Sequence, residues 1–109
     1  YNAGNKHLAV TIALTNNTPI KSVGAGTIIF SDWTPSSGYV VIVRHKDDIL
    51  SVYKNAASVT KKQGNTVKAG EVIALAGNAN TVQNSGATLH FELWKDGFPI
   101  DPTQFINFN

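Results

Sequence analysis

Apolar residues recur along the chain with a period of two, or in short unbroken runs, and not at the spacing typical of helices. Six segments with this pattern are rich in Val, Ile, Thr and aromatic residues, which favour pleated, half-buried strands. They are residues 6–14, 26–30, 39–44, 49–53, 71–76 and 87–94. The pattern predicts an all-β fold without a helix longer than about two turns.

Turn-forming residues separate these segments at short intervals, at positions 16–17, 35–38, 46–48, 63–65 and 95–97. Many short, regularly spaced strands favour an antiparallel sandwich or barrel-like sheet. Residues 78–86 are small and polar without periodicity, so a surface loop is predicted there. Residues 18–28 and 67–75 both place a short extended piece before a glycine and an apolar strand, which suggests an internal duplication.

Composition narrows the class of protein. A chain of 109 residues with 42% apolar residues is long enough for one modest core. Charged residues make up only 15% of the chain, and its net charge is +2. The nine Lys and Arg residues are scattered along the sequence, which argues against nucleic-acid binding. The chain has no cysteine, so disulfides and thiolate metal sites are excluded, and no apolar run reaches the ~20 residues of a membrane span. Because the chain begins at Tyr1 without a signal peptide, we expect it to be a fragment of a longer protein.

Two predicted strands each place a histidine opposite an apolar face. In residues 87–94, alternation puts Leu89, Phe91 and Leu93 on a core face. The other face carries Thr88, His90, Glu92 and Trp94. In residues 6–14, His7, Ala9, Thr11 and Ala13 likewise share the face opposite the apolar one. A lone histidine is more often an ordinary surface residue than a metal ligand, but two on different strands are candidates to meet in one groove.

Ordered matches in six places then connect nearly the whole chain with one family. They are residues 7–13, 18–20, 26–28, 38–45, 67–70 and 88–92, followed by a turn and a proline-containing tail over 94–102. Because these segments occur in the same order, the chain resembles the lysostaphin-type (LytM) zinc metallopeptidases of bacterial cell walls. Members of that family have an H-x-G-x-D block near the start of the domain and an H-x-H-F-E strand near its end. The resemblance implies an antiparallel sheet of the duplicated hybrid motif type, in a single LytM peptidase-like domain over residues 1–109.

The same resemblance implies a zinc site of which this chain keeps only part. His7 and His90 match two of the three ligand positions, while the third, an aspartate in active members, is Thr11. The positions of the two catalytic histidines fall on Asn55 and Thr88. A hydrolytic zinc needs three protein ligands and an open position for water. Without the catalytic histidines no obvious base is left to accept the proton of that water.

The resemblance also suggests roles for other residues. We expect Tyr53, Glu92 and Trp94 to line the same groove, although Glu92 matches a family glutamate that does not bind zinc. His45, the remaining histidine, precedes a turn and is expected to be structural. Trp33 and Trp94 are candidates for contacts with sugar or peptide, and equally for covering a sheet edge.

The resemblance favours a degenerate, non-catalytic domain that acts at peptidoglycan in the bacterial cell envelope, periplasmic or extracytoplasmic. The chain is also similar to activators of cell-wall amidases, so the expected partner is peptidoglycan or a cell-wall hydrolase of the amidase type. No cofactor is expected. One alternative is an active zinc endopeptidase that cuts peptide cross-links with a remodelled site. Another is a carbohydrate-binding or interaction module that shares only the β fold.

Overall fold

The computed structural model describes residues 9–14, 18–77 and 87–101, which form nine strands. The strands are β1 Ala9–Leu14, β2 Pro19–Lys21, β3 Gly26–Thr34, β4 Gly38–Arg44, β5 Ile49–Val59, β6 Thr66–Val67, β7 Val72–Ala76, β8 Ala87–Lys95 and β9 Phe98–Ile100. Between β4 and β5 lies a single 3-10 turn, Lys46–Asp48. Over these described ranges there is no α-helix, and none of the helical structure has the length and apolar character that a membrane span requires.

The strands form one antiparallel sheet with the order β1-β8-β5-β4-β3-β6. Strand β7 pairs with β2 and β5, and β9 pairs with β8. The prediction of an all-β antiparallel fold is therefore confirmed. Strands β8 and β5 lie in the middle of the sheet, so the face of β8 opposite the core has neighbouring strands on both sides.

The core lies on one face of the central strands. Leu89, Phe91 and Leu93 on β8 are buried, as the alternation predicts. The ring of Phe91 meets the ring of Tyr53 on β5 at a centroid distance of 5.3 Å and an angle of 52°, within the range that aromatic pairs prefer. The rest of the buried cluster is Ile20, Ile28, Val41, Val43, Ala56, Val67, Ile73, Ala74 and Ala76.

The two segments with similar patterns pair reciprocally. The short strand β2 of the first pairs with the long strand β7 of the second, and the short strand β6 pairs with the beginning of β3. Two backbone hydrogen bonds join the connecting loops, from the Ser22 amide to the Glu71 carbonyl at 2.9 Å and from the Gly70 amide to the Ser22 carbonyl at 2.8 Å. This exchange of strands is the arrangement that an internal duplication would produce.

A β-bulge interrupts β5 beside the polar face of the sheet. Val41 pairs with Tyr53 and Tyr39 pairs with Ala56, so two residues of β5, Lys54 and Asn55, oppose one residue of β4. Asn55 has a φ of 73°, in the left-handed region that asparagine tolerates better than most residues. Because the extra residue shifts the alternation, neighbouring side chains after Tyr53 no longer point to opposite faces.

The strands differ in extent from the predicted ones. Strand β3 continues four residues past the predicted segment 26–30, and β5 continues six residues past 49–53. Strands β2, β6 and β9 have only 3, 2 and 3 residues and are not among the six predicted segments. Strand β2 and the end of β6 fall on the short extended pieces predicted at the start of residues 18–28 and 67–75. The start of the first predicted strand at 6–8, the turn at 16–17 and the loop at 78–86 lie outside the described residues.

Candidate functional site

His90 occupies the centre of the polar face of the sheet. It pairs across β1 with Thr11 and across β5 with Lys54. Side chains directly opposite each other on neighbouring antiparallel strands are within reach of one another. The register alone therefore places the imidazole between a hydroxyl and an ammonium group.

The side chains around His90 enclose an open groove of about 340 Å³. We call it the His90 groove, and its lining consists of Thr11, Ser36, Ser37, Lys54, Asn55, Thr88 and His90. Four of these residues carry a hydroxyl group, one an amide, one an ammonium and one an imidazole. No carboxylate is among the described residues that line it. The groove is thus polar and suited to hydrogen bonding.

Two pairs of side chains organise the floor of the groove. The Nδ2 group of Asn55 donates to Thr88 twice, at 2.9 Å to the hydroxyl and at 2.9 Å to the backbone carbonyl. The hydroxyl of Thr11 lies 3.4 Å from Nδ1 of His90. The two positions that match catalytic histidines therefore contact each other, and so do two of the positions that match zinc ligands.

Glu92 lies beside the groove and accepts three hydrogen bonds. Its Oε2 is 3.1 Å from Nε2 of His90 and 3.1 Å from Nζ of Lys54, while its Oε1 accepts from Nε1 of Trp94 at 3.0 Å. Burial by itself raises the pKa of the Glu92 carboxyl, but the hydrogen bonds from Trp94 and Lys54 and the neighbouring positive charges outweigh it. The pKa of Glu92 is therefore below its ordinary value, and the side chain is a carboxylate at neutral pH.

The residues predicted for the site fall into several places. Thr11, Asn55, Thr88 and His90 line one groove. His7 lies outside the described residues. Glu92 and Trp94 line a smaller depression, of about 250 Å³, on the same face of the sheet. Its other lining residues are Ile42, Leu50, Val52 and Lys54, so Lys54 belongs to both depressions.

Tyr53, which we expected in the groove, lies in the core instead. Its side chain is 1% exposed, and its hydroxyl accepts a hydrogen bond from the Val23 amide at 3.0 Å. Burial raises the pKa of this phenol, against the smaller effect of its hydrogen bonds with Ser51, Val23 and Ser22. The physical reason for the correction is the register of β5 with β8, in which Tyr53 pairs with the core residue Phe91. Uninterrupted alternation would place Tyr53 and Asn55 on one face, but the extra residue places them on opposite faces.

Sequence reasoning missed three residues of the groove. Lys54 lies there because it pairs directly with His90. Ser36 and Ser37 belong to the turn between β3 and β4. The backbone of this turn is tied to the bulge, since the Asn55 amide donates to the Ser37 carbonyl at 2.8 Å. An asparagine within a strand pattern is the one sequence signal for this arrangement, because asparagine is depleted in strands and tolerates positive φ.

The remaining candidates lie away from the groove. His45 makes two hydrogen bonds, from Nδ1 to the Ala25 carbonyl at 2.8 Å and between Nε2 and the Ser51 hydroxyl at 2.7 Å. Trp33 is 57% exposed and does not line the His90 groove. In the described part of the chain, no three residues of the types His, Cys, Asp and Glu are grouped so that they could hold a metal ion.

Comparison with known proteins gives this geometry a context. Residues 5–102 match the family described as peptidase family M23. Stage II sporulation protein Q of Bacillus subtilis is 36% identical over 83 residues, which cover 76% of this chain and 29% of that protein. The DD-carboxypeptidase/endopeptidase Mpg of Neisseria meningitidis is 30% identical, over 88% of this chain and 22% of the relative. The murein hydrolase activator EnvC of Escherichia coli is 29% identical, over 89% of this chain and 23% of that protein.

Solved structures share the fold. The catalytic domain of the peptidase lysostaphin from Staphylococcus simulans superposes with a TM-score of 0.79 and 26% identity, over 94% of this chain and 80% of that one. A zinc-containing peptidase from Vibrio cholerae gives a TM-score of 0.77 and 28% identity, over 93% of this chain and 32% of that one. The chain spans only between 22% and 29% of the length of the three curated relatives above. Those relatives include both an enzyme and an activator of other enzymes.

Proposed function

The chain belongs to peptidase family M23, and from this premise we propose that it is a non-catalytic member that acts at bacterial peptidoglycan. In this proposal the His90 groove binds the cell wall, and the domain serves as a regulator of a wall hydrolase, a scaffold or a binding module. The observation that carries the proposal is the chemistry of the groove, which has hydroxyl and amide groups where a hydrolytic site needs a metal ligand and bases.

The described residues do not fit a zinc ion. Zinc in a catalytic site is held by three protein ligands, drawn from His, Cys, Asp and Glu. At the groove the described residues supply one such ligand, His90, next to the neutral hydroxyl of Thr11. His7, the other matching position, lies outside the described residues. Even with His7, the anionic ligand that the resemblance assigns to position 11 is replaced by a threonine.

The catalytic positions are also unsuited to proton transfer. A general base must exchange a proton near neutral pH, and neither the amide of Asn55 nor the hydroxyl of Thr88 does so. The two groups are hydrogen-bonded to each other at 2.9 Å, so they form a fixed polar surface. Such a surface can recognise a ligand through hydrogen bonds without changing it.

The proposal extends to the setting of the protein. The relatives include a murein hydrolase activator and a DD-carboxypeptidase/endopeptidase, which supports a place in the cell envelope, periplasmic or extracytoplasmic. A peptidoglycan-binding domain with a hydrolase partner is consistent with the names of both relatives. We further propose that residues 1–109 are one domain of a longer envelope protein.

Binding to purified sacculi tests the proposal directly. The unmodified protein should sediment with sacculi, and Ser36→Arg should reduce the bound fraction severalfold because a long charged side chain would enter the groove from its exposed rim. The matched control is Gln63→Arg, which adds the same side chain to an exposed turn that does not line the groove. If the unmodified protein stays in the supernatant, the proposed wall binding is wrong.

The same samples distinguish the proposal from the alternative of an active zinc endopeptidase. Under the proposal, elemental analysis should find no stoichiometric zinc in the purified protein, and the supernatant of the sacculi should contain no released peptide. Zinc at one equivalent, together with peptide release that a chelator and His90→Ala both abolish, would establish the enzyme instead. A plain interaction module that shares only the fold would neither bind sacculi nor hold zinc.

A further inference from the structure

Glu92 is fixed by partners on both of its carboxylate oxygens. Lys54 and His90 lie 3.1 Å and 3.1 Å from Oε2, and Trp94 donates to Oε1 at 3.0 Å. The side chain is 15% exposed, so water competes little for these hydrogen bonds. Held from two sides, the carboxylate has little freedom to turn away from the imidazole of His90.

The two ring nitrogens of His90 have different surroundings. Nε2 is in contact with Glu92, whereas Nδ1 lies 3.4 Å from the Thr11 hydroxyl. Hydrogen bonds of a hydroxyl group are usually near 2.7–2.8 Å, so the contact of Nδ1 is long and weak. The His90 side chain is 40% exposed and lines the groove. One nitrogen is therefore engaged, and the other is available to a ligand.

The chemistry of the carboxylate decides which nitrogen carries the proton. An ionised carboxylate only accepts hydrogen bonds, and a neutral imidazole has one donor nitrogen and one acceptor nitrogen. A contact of 3.1 Å with Oε2 is favourable only when Nε2 is the donor. Nδ1 is then the acceptor.

We propose that Glu92 is a positioning residue that holds His90 in the Nε2–H tautomer and so keeps Nδ1 as the hydrogen-bond acceptor of the groove. A ligand of the groove would present an N–H or O–H group to this nitrogen, as peptides and glycans do. The part about the ligand rests on the proposed function, but the tautomer does not. His45 is a natural reference, because its Nδ1 faces a backbone carbonyl, which only accepts, so its proton must be on Nδ1 and not on Nε2 as in His90.

Nitrogen-15 NMR of the imidazole rings tests the proposal on the full chain. Spectra would be recorded at about pH 8, where histidines of ordinary pKa are neutral. His90 should show a protonated Nε2, with a proton signal that is observable because its hydrogen bond slows exchange with water, and an unprotonated Nδ1. His45 should show the reverse. The resonance of His90 is assigned by its absence in His90→Gln.

Two variants separate a positioning role from a general structural one. In Glu92→Ala the proton signal of Nε2 should be lost, and the ratio of tautomers should move toward Nδ1–H by roughly fivefold, as expected for the loss of one hydrogen bond. In Glu92→Gln the amide oxygen can still accept, so the Nε2–H tautomer should persist. His45 should not change in either variant, which also shows that the fold is intact.

The proposal is wrong if His90 of the unmodified protein carries its proton on Nδ1, or if Glu92→Ala leaves the ratio and the exchange rate unchanged. Should Glu92→Ala fail to fold, the unmodified protein still decides, since its carboxylate only accepts and its His90 must show the Nε2–H form. These outcomes are independent of binding to sacculi. A protein with the expected tautomer that does not sediment with sacculi would contradict the proposed function alone.

Discussion

Thr11 stands at the position where the resemblance expects an aspartate ligand of a zinc site. Its hydroxyl lies 3.4 Å from Nδ1 of His90, so a carboxylate in its place would lie beside an imidazole nitrogen that is free to bind a metal. Thr11→Asp should therefore raise the affinity for zinc by roughly tenfold or more, in line with the effect of a single well-placed group on a metal site. Isothermal titration with zinc measures this change.

The matched control at this position is Thr11→Asn, which has nearly the shape of aspartate without its charge. Zinc favours anionic oxygen, nitrogen and thiolate ligands, so the asparagine variant should bind no better than the unmodified protein. Equal gains for the two variants would show that size and not charge is responsible. Tight zinc binding by the unmodified protein would contradict the assignment of Thr11 as a lost ligand.

Asn55 combines a special backbone conformation with a side-chain role. With a φ of 73° it occupies a region that costs non-glycine residues about 1–2 kcal/mol, and β-branched residues most. Asn55→Val should consequently lower the free energy of unfolding by about 1–2 kcal/mol more than Asn55→Gly does. Urea denaturation measures both. Because each variant loses the same hydrogen bonds to Thr88, the difference isolates the backbone, and equal losses would contradict the bulge.

Glu92 couples the site to acid stability. Its pKa in the folded protein is below the ordinary value of 4.5, so the carboxylate contributes stability that is complete above that value and lost as the pH falls through the lowered pKa. The melting temperature of the unmodified protein should fall between about pH 5 and about pH 2. Glu92→Gln has no charge to lose and should show a smaller fall over the same range. Parallel curves for the two proteins would remove Glu92 as a cause.

At the scale of elements, periodicity predicted the long strands and could not predict the short ones. A period of two needs several residues to become visible, and β2, β6 and β9 have only 3, 2 and 3. Their positions depend on partner strands that are distant in the sequence. The buried face of β8 was predictable because Leu89, Phe91 and Leu93 alternate with polar residues.

The register and the bulge of β5 account for the errors in the predicted site. The resemblance identified four residues that line the groove, but it also assigned Tyr53 to the groove and gave no indication of Lys54. The register places Tyr53 opposite Phe91 and Lys54 opposite His90, and the single extra residue then brings Asn55 to the face of Lys54. Whether a strand contains a bulge depends on its register with a neighbour, here Tyr39 and Val41 on β4, which the local pattern does not contain. Ser36 and Ser37 were overlooked because the pattern identifies a turn but not what it packs beside.

The beginning of β3 depends on a residue without a side chain. A Cβ atom on Gly26 would overlap the backbone carbonyl of Arg44 and would lie 2.8 Å from Cγ1 of Val43. Gly26→Ala should therefore lower the free energy of unfolding by about 1–3 kcal/mol, because β3 and β4 would have to separate. Gly24→Ala is the comparison, since its added methyl group would meet only the side chain of His45, at 3.3 Å. Chemical denaturation should show the larger loss for Gly26, and the reverse order would contradict the packing.

At the scale of the whole molecule, the fold and the groove depend on different residues of the same strands. The core uses the alternate positions Leu89, Phe91 and Leu93, and the reciprocal pairing of β2 with β7 and of β6 with β3 completes the sheet. The groove uses the intervening positions, such as Thr88 and His90. Substitutions in the groove can therefore change its chemistry without removing core packing.

This separation allows a stepwise test of activity. Under the proposed function the unmodified protein should release no peptide from peptidoglycan, because the resemblance places a hydroxyl at one ligand position and an amide and a hydroxyl at the positions of two catalytic histidines. Thr11→Asp combined with Asn55→His and Thr88→His supplies these groups on strands that already place them around one groove. Removing a catalytic base typically costs 10²–10⁴-fold in rate, so the triple variant should gain zinc-dependent release that neither Thr11→Asp alone nor the unmodified protein shows. The measurement is chromatography of soluble peptides with and without a chelator, and His90→Ala in the triple variant is the control that must abolish the gain. Chelator-sensitive release by the unmodified protein would contradict the prediction and would mean that groups beyond the described residues complete the site.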